Sequence, residues 1–381
     1  MMKELSNALL RSVKLESSRK HEQDFGRAIV AQRIAKQRPG GSTSGEATSD
    51  LHKATESGDI EVKLPLENGA DIAAPDDQGW TPLHLASRHG HTSIVCLLLQ
   101  RKAEINSTDN RDCTSLHLAS QYGRSEEARL LLEHGAEVDT QNVRGETALI
   151  CAAQEGHELT VRYLLLHGPS LDIQGIATIT ALSWASCRGY EKVVEALLKH
   201  AAKLDLQDYN GGTALTRAVD TKQEKISCLL IKHGADPNIQ YRDGYFALYR
   251  AAQYGLNDTI LMLLETGADP NLQNGDGQTP LMSAARSGRD ATITLLLKYN
   301  ARLDIKDNEG FTAATWAARM GHPNRSLLSE KDAAFSDLLR RIEELQIQAY
   351  LEHERKPKKT SSVLRNLREQ RSETTKTMGE A

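Results

Sequence analysis

The sequence predicts an all-α solenoid built from helix–turn–helix units with β-hairpin fingers, and three observations predict it. Threonines 81, 114, 147, 180, 213, 279 and 312 are spaced by 33 residues or multiples of 33, with Phe246 in the missing place. The segments that follow repeat one pattern without an insertion: TPLHLAS (81–87), TSLHLAS (114–120), TALICAA (147–153), TALSWAS (180–186), TALTRAV (213–219), FALYRAA (246–252), TPLMSAA (279–285) and TAATWAA (312–318). Aromatic side chains are scarce (Trp 3, Tyr 10, Phe 4 in 381 residues), too few for the large cores they usually dominate. Length alone suggests two or three domains at ~150 residues each. A fixed period of this size implies instead thin units that bury one face against their neighbours.

Each part of the unit has a local reason. Threonine is a good N-cap, and Pro82 and Pro280 fall at the first helical position, where a missing N–H costs nothing. Leucine at Thr+2 and alanine at Thr+5 share a helix face, and the alanine permits close approach. Glycine at Thr+9 (90, 123, 156, 189, 255, 288, 321) suits a left-handed helix end. Second helices follow as IVCLLL (94–99), ARLLLE (128–133), VRYLLL (161–166), VVEALL (193–198), ISCLLI (226–231), ILMLLE (260–265) and ITLLLK (293–298). They end at Gly135, Gly168, Gly234, Gly267 or Asn300, and glycine at Thr−2 marks a hairpin tip. Asp112 and Thr178 replace that tip glycine, which predicts two distorted tips.

The 33-residue period, the T-P-L-H-x-A segment (Thr81 to Ala86) and the GADPN endings at 234–238 and 267–271 resemble ankyrin repeats. The resemblance covers 50–325: a degenerate first unit, seven full repeats over 76–306 and a terminal half-repeat. In the first unit Pro65 interrupts the second helix, at roughly 3 kcal/mol for a helix interior. Pro323 stands where the last second helix would start. The resemblance implies that His84 and His117 hydrogen-bond within and between repeats.

The ends differ from the array. Residues 1–38 form a basic, helix-prone segment, and 39–49 (PGGSTSGEATSD runs over 39–50) reads as a flexible linker. Residues 326–355 predict an amphipathic helix, with Ser329 and Asp332 as a capping pair and Phe335, Leu338, Ile342, Leu345 and Ala349 on one stripe. That helix either caps the last repeat or lets two chains associate weakly through 330–355. The tail 356–381 is basic and predicted disordered, and RKPKK (355–359) resembles a short nuclear import signal. The net charge of −4 is a cancellation: +5 over 1–40, +5 over 355–381 and therefore −14 over 41–354. An acidic body repels phosphates, so nucleic acid is accessible only to the basic ends. Those ends could also meet an anionic membrane surface, but no lipidation signal accompanies them.

Catalytic and metal-ligand patterns are missing. No P-loop, dinucleotide fingerprint, H-E-x-x-H or G-x-S-x-G occurs, and DPNLQNGD (269–276) repeats a loop motif rather than a calcium loop. No cofactor and no enzyme activity is expected. Five scattered cysteines without C-x-x-C, and no run long enough to span a membrane, point to free thiols in the cytoplasm, with the nucleus as a second address.

The resemblance implies partner binding on a concave face built from Thr−4, Thr−3, Thr−1, Thr+7 and Thr+8. Those columns hold Trp80, Arg88, His89, Arg111, Gln121, Tyr122, Arg188, Tyr209, Arg242, Tyr245, Tyr254, Arg286, Phe311 and Arg319. Interface hot spots favour Trp, Tyr and Arg. Tyr241, Tyr245, Phe246, Tyr249 and Tyr254 fall in one repeat of an aromatic-poor chain, which nominates that repeat as the anchor. Leu98 with Glu104, Ile105 and Asn106 resembles the site where ankyrin asparagines are hydroxylated, making Asn106 a modification candidate. The reading as a whole is a non-catalytic scaffold for another protein, with a nuclear regulator touching nucleic acid or an acidic partner through its tail as the alternative.

Overall fold

The computed structural model describes residues 44–59 and 62–322. Within them the chain is a row of paired helices with no strand. The first unit contributes α1 (Ser44–Ser57) and α2 (Lys63–Glu67). The first helices of the repeats are α3 (Pro82–His89), α5 (Ser115–Gln121), α7 (Ala148–Glu155), α9 (Ala181–Arg188), α11 (Ala214–Asp220), α13 (Ala247–Tyr254), α15 (Pro280–Arg286) and α17 (Ala313–Arg319). Their second helices are α4 (Thr92–Gln100), α6 (Ser125–Glu133), α8 (Glu158–Leu166), α10 (Glu191–Lys199), α12 (Glu224–Lys232), α14 (Asn257–Glu265) and α16 (Asp290–Lys298). First helices pack on first helices and second on second, so one apolar layer runs the length of the array.

The repeated residues build that layer. Alanine at Thr+5 (86, 119, 152, 185, 218, 251, 284, 317) is fully buried in all eight units. The leucines at Thr+2 from Leu83 to Leu281 are at most 1% exposed, and burying each such side chain stabilises by about 1.5–3 kcal/mol. Six of the threonines cap their helix, Thr180 Oγ1 accepting from Ser183 N–H at 3.1 Å. Phe246 cannot cap and is instead buried in the core.

Before each first helix lies a tight turn, here called fingers 1 to 8 (76–80, 109–113, 142–146, 175–179, 208–212, 241–245, 274–278, 307–311). The hairpins expected there are turns rather than strands: among the described residues only Tyr241 and Tyr245 make a β-bridge. A regular finger is closed by the side chain at Thr−5. Asp109 Oδ1 accepts the N–H groups of Arg111 and Cys113 at 2.7 and 2.8 Å, and Asp76, Asn142, Asp208, Asn274 and Asp307 do the same in their fingers.

Polar groups also tie each repeat to the next. His84 accepts Thr81 N–H on Nδ1 (3.1 Å), which leaves Nε2–H to donate to Cys113 O of finger 2 (3.0 Å). His117 repeats this between Thr114 N–H and Glu146 O, at 3.2 and 3.0 Å. The inter-repeat role that the resemblance implied for both imidazoles is therefore seen. A side chain at Thr+10 reaches back as well: His157 Nε2 meets Gln121 O at 3.1 Å and Arg124 Nε meets Arg88 O at 3.0 Å. That contact adds a second reason for glycine at Thr+9. A Cβ on Gly123 would lie 2.6 Å from the His157 ring.

Two local expectations change and two hold. The linker expected over 39–49 gives way to helix from Ser44, because α1 places Leu51 in the core. Pro65 does interrupt the second helix: α2 has five residues where the other second helices have nine, and it starts at Lys63, so that Pro65 falls in the first turn, where its missing N–H has no intrahelical partner to lose. Asp112 adopts φ +57° itself, and finger 2 keeps the regular turn. Finger 4 is distorted as expected, with Ala177 and Thr178 both at positive φ in a 3₁₀ turn. The readings for residues 1–38, for 326–355 and for the basic tail lie outside the described residues.

Burial lowers the basicity of His84 and His117, holding both imidazoles neutral. The folded state then binds fewer protons than the unfolded one, so stability present above pH ~6.5 is lost as pH falls. Urea unfolding should show a lower midpoint at pH 5.5 than at pH 7. In a His84→Gln, His117→Gln variant that pH difference should shrink.

Candidate interaction face

The fingers and the C-terminal ends of the first helices form one side of the array. Arg88 joins repeats 1 and 2, its guanidinium 4.6 Å from the Trp80 ring and 5.0 Å from that of Tyr122. Trp80 itself is a correction to its place among the contact residues. Only 7% exposed, it donates its indole N–H to Asp109 Oδ2 at 2.8 Å and serves the joint between fingers. Tyr122 remains 41% exposed at the edge of the stack. His89 stacks on His91, and burial followed by the Arg88 charge lowers its basicity. Gln121 exposes its side chain while its carbonyl holds His157.

The middle of the face is more open. Arg111 is exposed beside the buried Asp109, at 3.9 Å. A cleft of about 70 Å³ between fingers 2 and 3 is lined by Arg111, Val143 and Gln154 among others. Arg188 is exposed, 5.7 Å above the Trp184 ring, and Tyr209 is 67% exposed at the tip of finger 5.

Repeat 6, the anchor nominated by its tyrosines, is largely spent on itself. Tyr241 Oη and Arg250 Nε both donate to Asp220 Oδ1, at 2.8 and 2.6 Å, and a second guanidinium nitrogen donates to Tyr254 Oη. Burial, then the Asp220 carboxylate, pushes the Tyr241 phenol well above its ordinary range. Tyr249 donates to Gln278 Oε1 at 2.6 Å, and burial pushes its phenol up to about 12. Tyr245 is half-buried with its ring 5.3 Å from Tyr249, and Lys222 stands 4.9 Å over Tyr254. Of this group's neighbours Arg242 is exposed, donating to Asn210 Oδ1 at 3.0 Å. The cluster knits repeats 5, 6 and 7 together. At the far end Arg319 lies 5.2 Å from Phe311 and 5.4 Å from Trp316, with Arg286 5.2 Å from Trp316, and Phe311 is half-buried against that indole.

Two positions matter that the column reading did not single out, Gly175 and Trp184. The side chain at Thr+4 faces the one at Thr−5. Arg217 pairs with Asp208, and Trp316 donates to Asp307 Oδ2 at 2.7 Å. In repeat 4 the donor is Trp184, but Thr−5 is Gly175, and the buried indole nitrogen has no acceptor among the described residues. The alignment of the two columns already contains this mismatch.

Asn106 belongs to a different side. Its Oδ1 accepts Glu137 N–H at 3.0 Å, one step of a ladder continued by Asp139–Ser170, Asp172–Lys203, Asp205–Asp236, Asn238–Asp269 and Asn271–Arg302. That position uses a side-chain oxygen as acceptor, which the carboxylates of Asp139, Asp172 and Asp205 supply as well as the amides do. No grouping of His, Cys, Asp and Glu suited to a metal occurs among the described residues, and all five cysteines are free. Burial pushes the Cys113 thiol up to about 12, away from nucleophilic use at neutral pH.

A helix-pair unit of this length, with a closed finger and a left-handed helix end, recurs in one repeat family. The description "Ankyrin repeats (3 copies)" matches residues 27–109, 103–175, 171–241 and 248–336. The chain belongs to the ankyrin-repeat family. Among curated proteins it is 48% identical over 50 residues to human (Homo sapiens) protein phosphatase 1 regulatory subunit 27, covering 13% of this chain and 32% of that protein. It is 39% identical over 57 residues to the zebrafish (Danio rerio) Notch-regulated ankyrin repeat-containing protein A, 15% of this chain and 51% of that one. A rice (Oryza sativa subsp. indica) potassium channel AKT1 is 42% identical over 57 residues, 15% of this chain and 6% of the channel. The chain thus spans about a third to a half of the two shorter relatives and a small part of the third. Ankyrin repeats mediate protein–protein interaction, and no helix among the described residues is long and apolar enough to cross a membrane.

The repeat 4 mismatch has a measurable consequence. Trp316→Phe should cost about 1–3 kcal/mol in urea unfolding, because it leaves the buried Asp307 carboxylate short of a donor. Trp184→Phe removes a donor that has no acceptor and should cost less than 0.5 kcal/mol or stabilise slightly. Equal losses in both variants would contradict the pairing.

Proposed function

We propose that this chain is a non-catalytic scaffold that grips a partner protein on the finger face of its ankyrin array. The observation that carries the reading is the division of labour between aromatic and arginine side chains along that face. Some, such as Trp80, Tyr241 and Tyr249, are consumed in joints between repeats. Others, namely Tyr122 and Arg188 at Thr+8 and Tyr209 at Thr−4, stand exposed on the packed array beneath them. Pre-ordered aromatic and arginine anchors are what partner binding uses, since little side-chain freedom is left to lose on association. Five free cysteines fit a reducing compartment for this role. The named activities of the short-matching relatives are not needed for this reading.

Affinity purification with the full chain, followed by Kd measurement on the recovered partner, tests it. A Tyr122→Ala, Arg188→Ala, Tyr209→Ala variant should bind at least ~30-fold more weakly, the equivalent of about 2 kcal/mol. Leu159→Ala on the second-helix side, where Leu159 is 52% exposed, should change affinity less than ~2-fold. The opposite pattern would move the binding face to the second helices.

A further inference from the structure

Fingers 3, 4 and 5 differ from the rest in the residue at their tip. At Thr−4 these three carry Val143, Ile176 and Tyr209, whereas the other five carry Asp77, Asn110, Arg242, Gly275 and Asn308. Val143 is 38% and Tyr209 67% exposed, with Ile176 half-buried between them, so an apolar stripe crosses three consecutive fingers. The fingers are physically adjacent: Tyr209 N–H donates to Ala177 O of finger 4 at 3.2 Å, and Gly175 of finger 4 lies so close to finger 3 that a Cβ there would stand 2.9 Å from Glu146 Cγ.

The charge beside the stripe is reversed relative to the body. Residues 41–354 carry a net −14, yet the exposed groups flanking these fingers are Arg111, Arg144, Arg188 and Lys222 against Glu155 and the half-buried Asp112 and Asp220, the last paired with Arg250. Glu146 is buried, with its carboxylate 3.7 Å from Arg144. Finger 4, in the centre, lacks the Thr−5 carboxylate or amide that closes its neighbours, because residue 175 is glycine.

Resting on the scaffold reading above, we infer that fingers 3–5 bind an extended acidic segment of a partner protein. Its apolar side chains cover Val143, Ile176 and Tyr209, and its carboxylates meet Arg111, Arg144 and Arg188. Packed helices lie roughly 8–10 Å apart, and an extended chain of the polyproline-II type, with three residues per turn and ~3.1 Å rise, presents one side every ~9 Å, so the apolar residues recur about every third position. About seven residues span the three fingers. A basic segment does not fit the charge.

The test is selection from a library of displayed random peptides of about a dozen residues against the full chain, with Kd values of the recovered synthetic peptides read by fluorescence anisotropy. Expected are net-acidic peptides with apolar residues about three apart, weakened at least ~10-fold by Ile176→Asp, by Tyr209→Ala and by Arg188→Glu. Arg319→Ala should leave them unchanged, and circular dichroism of each variant shows that the array is intact. Two results overturn the inference while the finger-face reading stands: recovery of basic peptides, and binding lost in Arg88→Ala or Arg319→Ala but not in the finger variants. A recovered consensus matching residues 326–381 of the chain itself makes its own tail the occupant and also overturns it. Binding indifferent to every finger-face variant, or no enrichment at all, overturns both.

Discussion

Every repeat of this chain hands unfinished hydrogen bonds to the next one. A finger carbonyl receives the imidazole of the preceding helix, as Cys113 O receives His84, and the carbonyl at a first-helix end receives a side chain from the following repeat, as Arg88 O receives Arg124. On the opposite loops an Asn or Asp oxygen accepts the N–H found 31 residues further on, as in Asn106 and Glu137. These contacts recur with the same 33-residue period as the buried alanines, and the first unit, one residue shorter, still sends His52 to Trp80 O and receives His91 on Glu56 O. Keeping the polar contacts in register with the apolar layer is therefore the requirement that the repeated period serves, and a one-dimensional, neighbour-coupled stability follows from it.

Where that requirement is met, side chains are committed to the joint, and where it is relaxed they are free to recognise something else. Repeat 6 shows the first case. Its tyrosines and Arg250 surround Asp220 and Gln278, so the richest aromatic cluster in the chain is mostly structural. Repeat 4 shows the second, with Gly175 in place of the finger-closing side chain and Trp184 without an acceptor among the described residues. The exposed Val143 and Tyr209 flank that relaxed finger.

Much of the fold was legible from the sequence, because threonine, leucine, alanine and glycine columns report local demands: a cap, a core methyl, a left-handed turn. Helix ends such as Gly135 and Asn300 follow directly from those demands, and both adopt positive φ. Pro65 was legible in the same way, since a proline is tolerated only in a helix's first turn, and α2 begins two residues before it and stays short. The contact residues were legible only as columns. Whether an aromatic in a column is buried depends on the residue opposite it one repeat away, as Asp109 decides for Trp80. The pairing of Thr−5 with Thr+4 was present in the sequence, but its meaning required knowing that those positions face each other.

The account holds that a Thr−5 Asp or Asn orders six of the fingers, that the Tyr241–Tyr245 bridge serves finger 6, and that the lack of both makes finger 4 the adaptable part of the face. Native-state hydrogen exchange reads this directly. The amides of Arg111, Asn210 and Glu309, bonded to Asp109, Asp208 and Asp307, should be protected. The amide of Ala177, at the equivalent place in finger 4, should exchange at least ~10-fold faster, as expected of a locally less stable segment. Equal protection at all four positions would contradict the account.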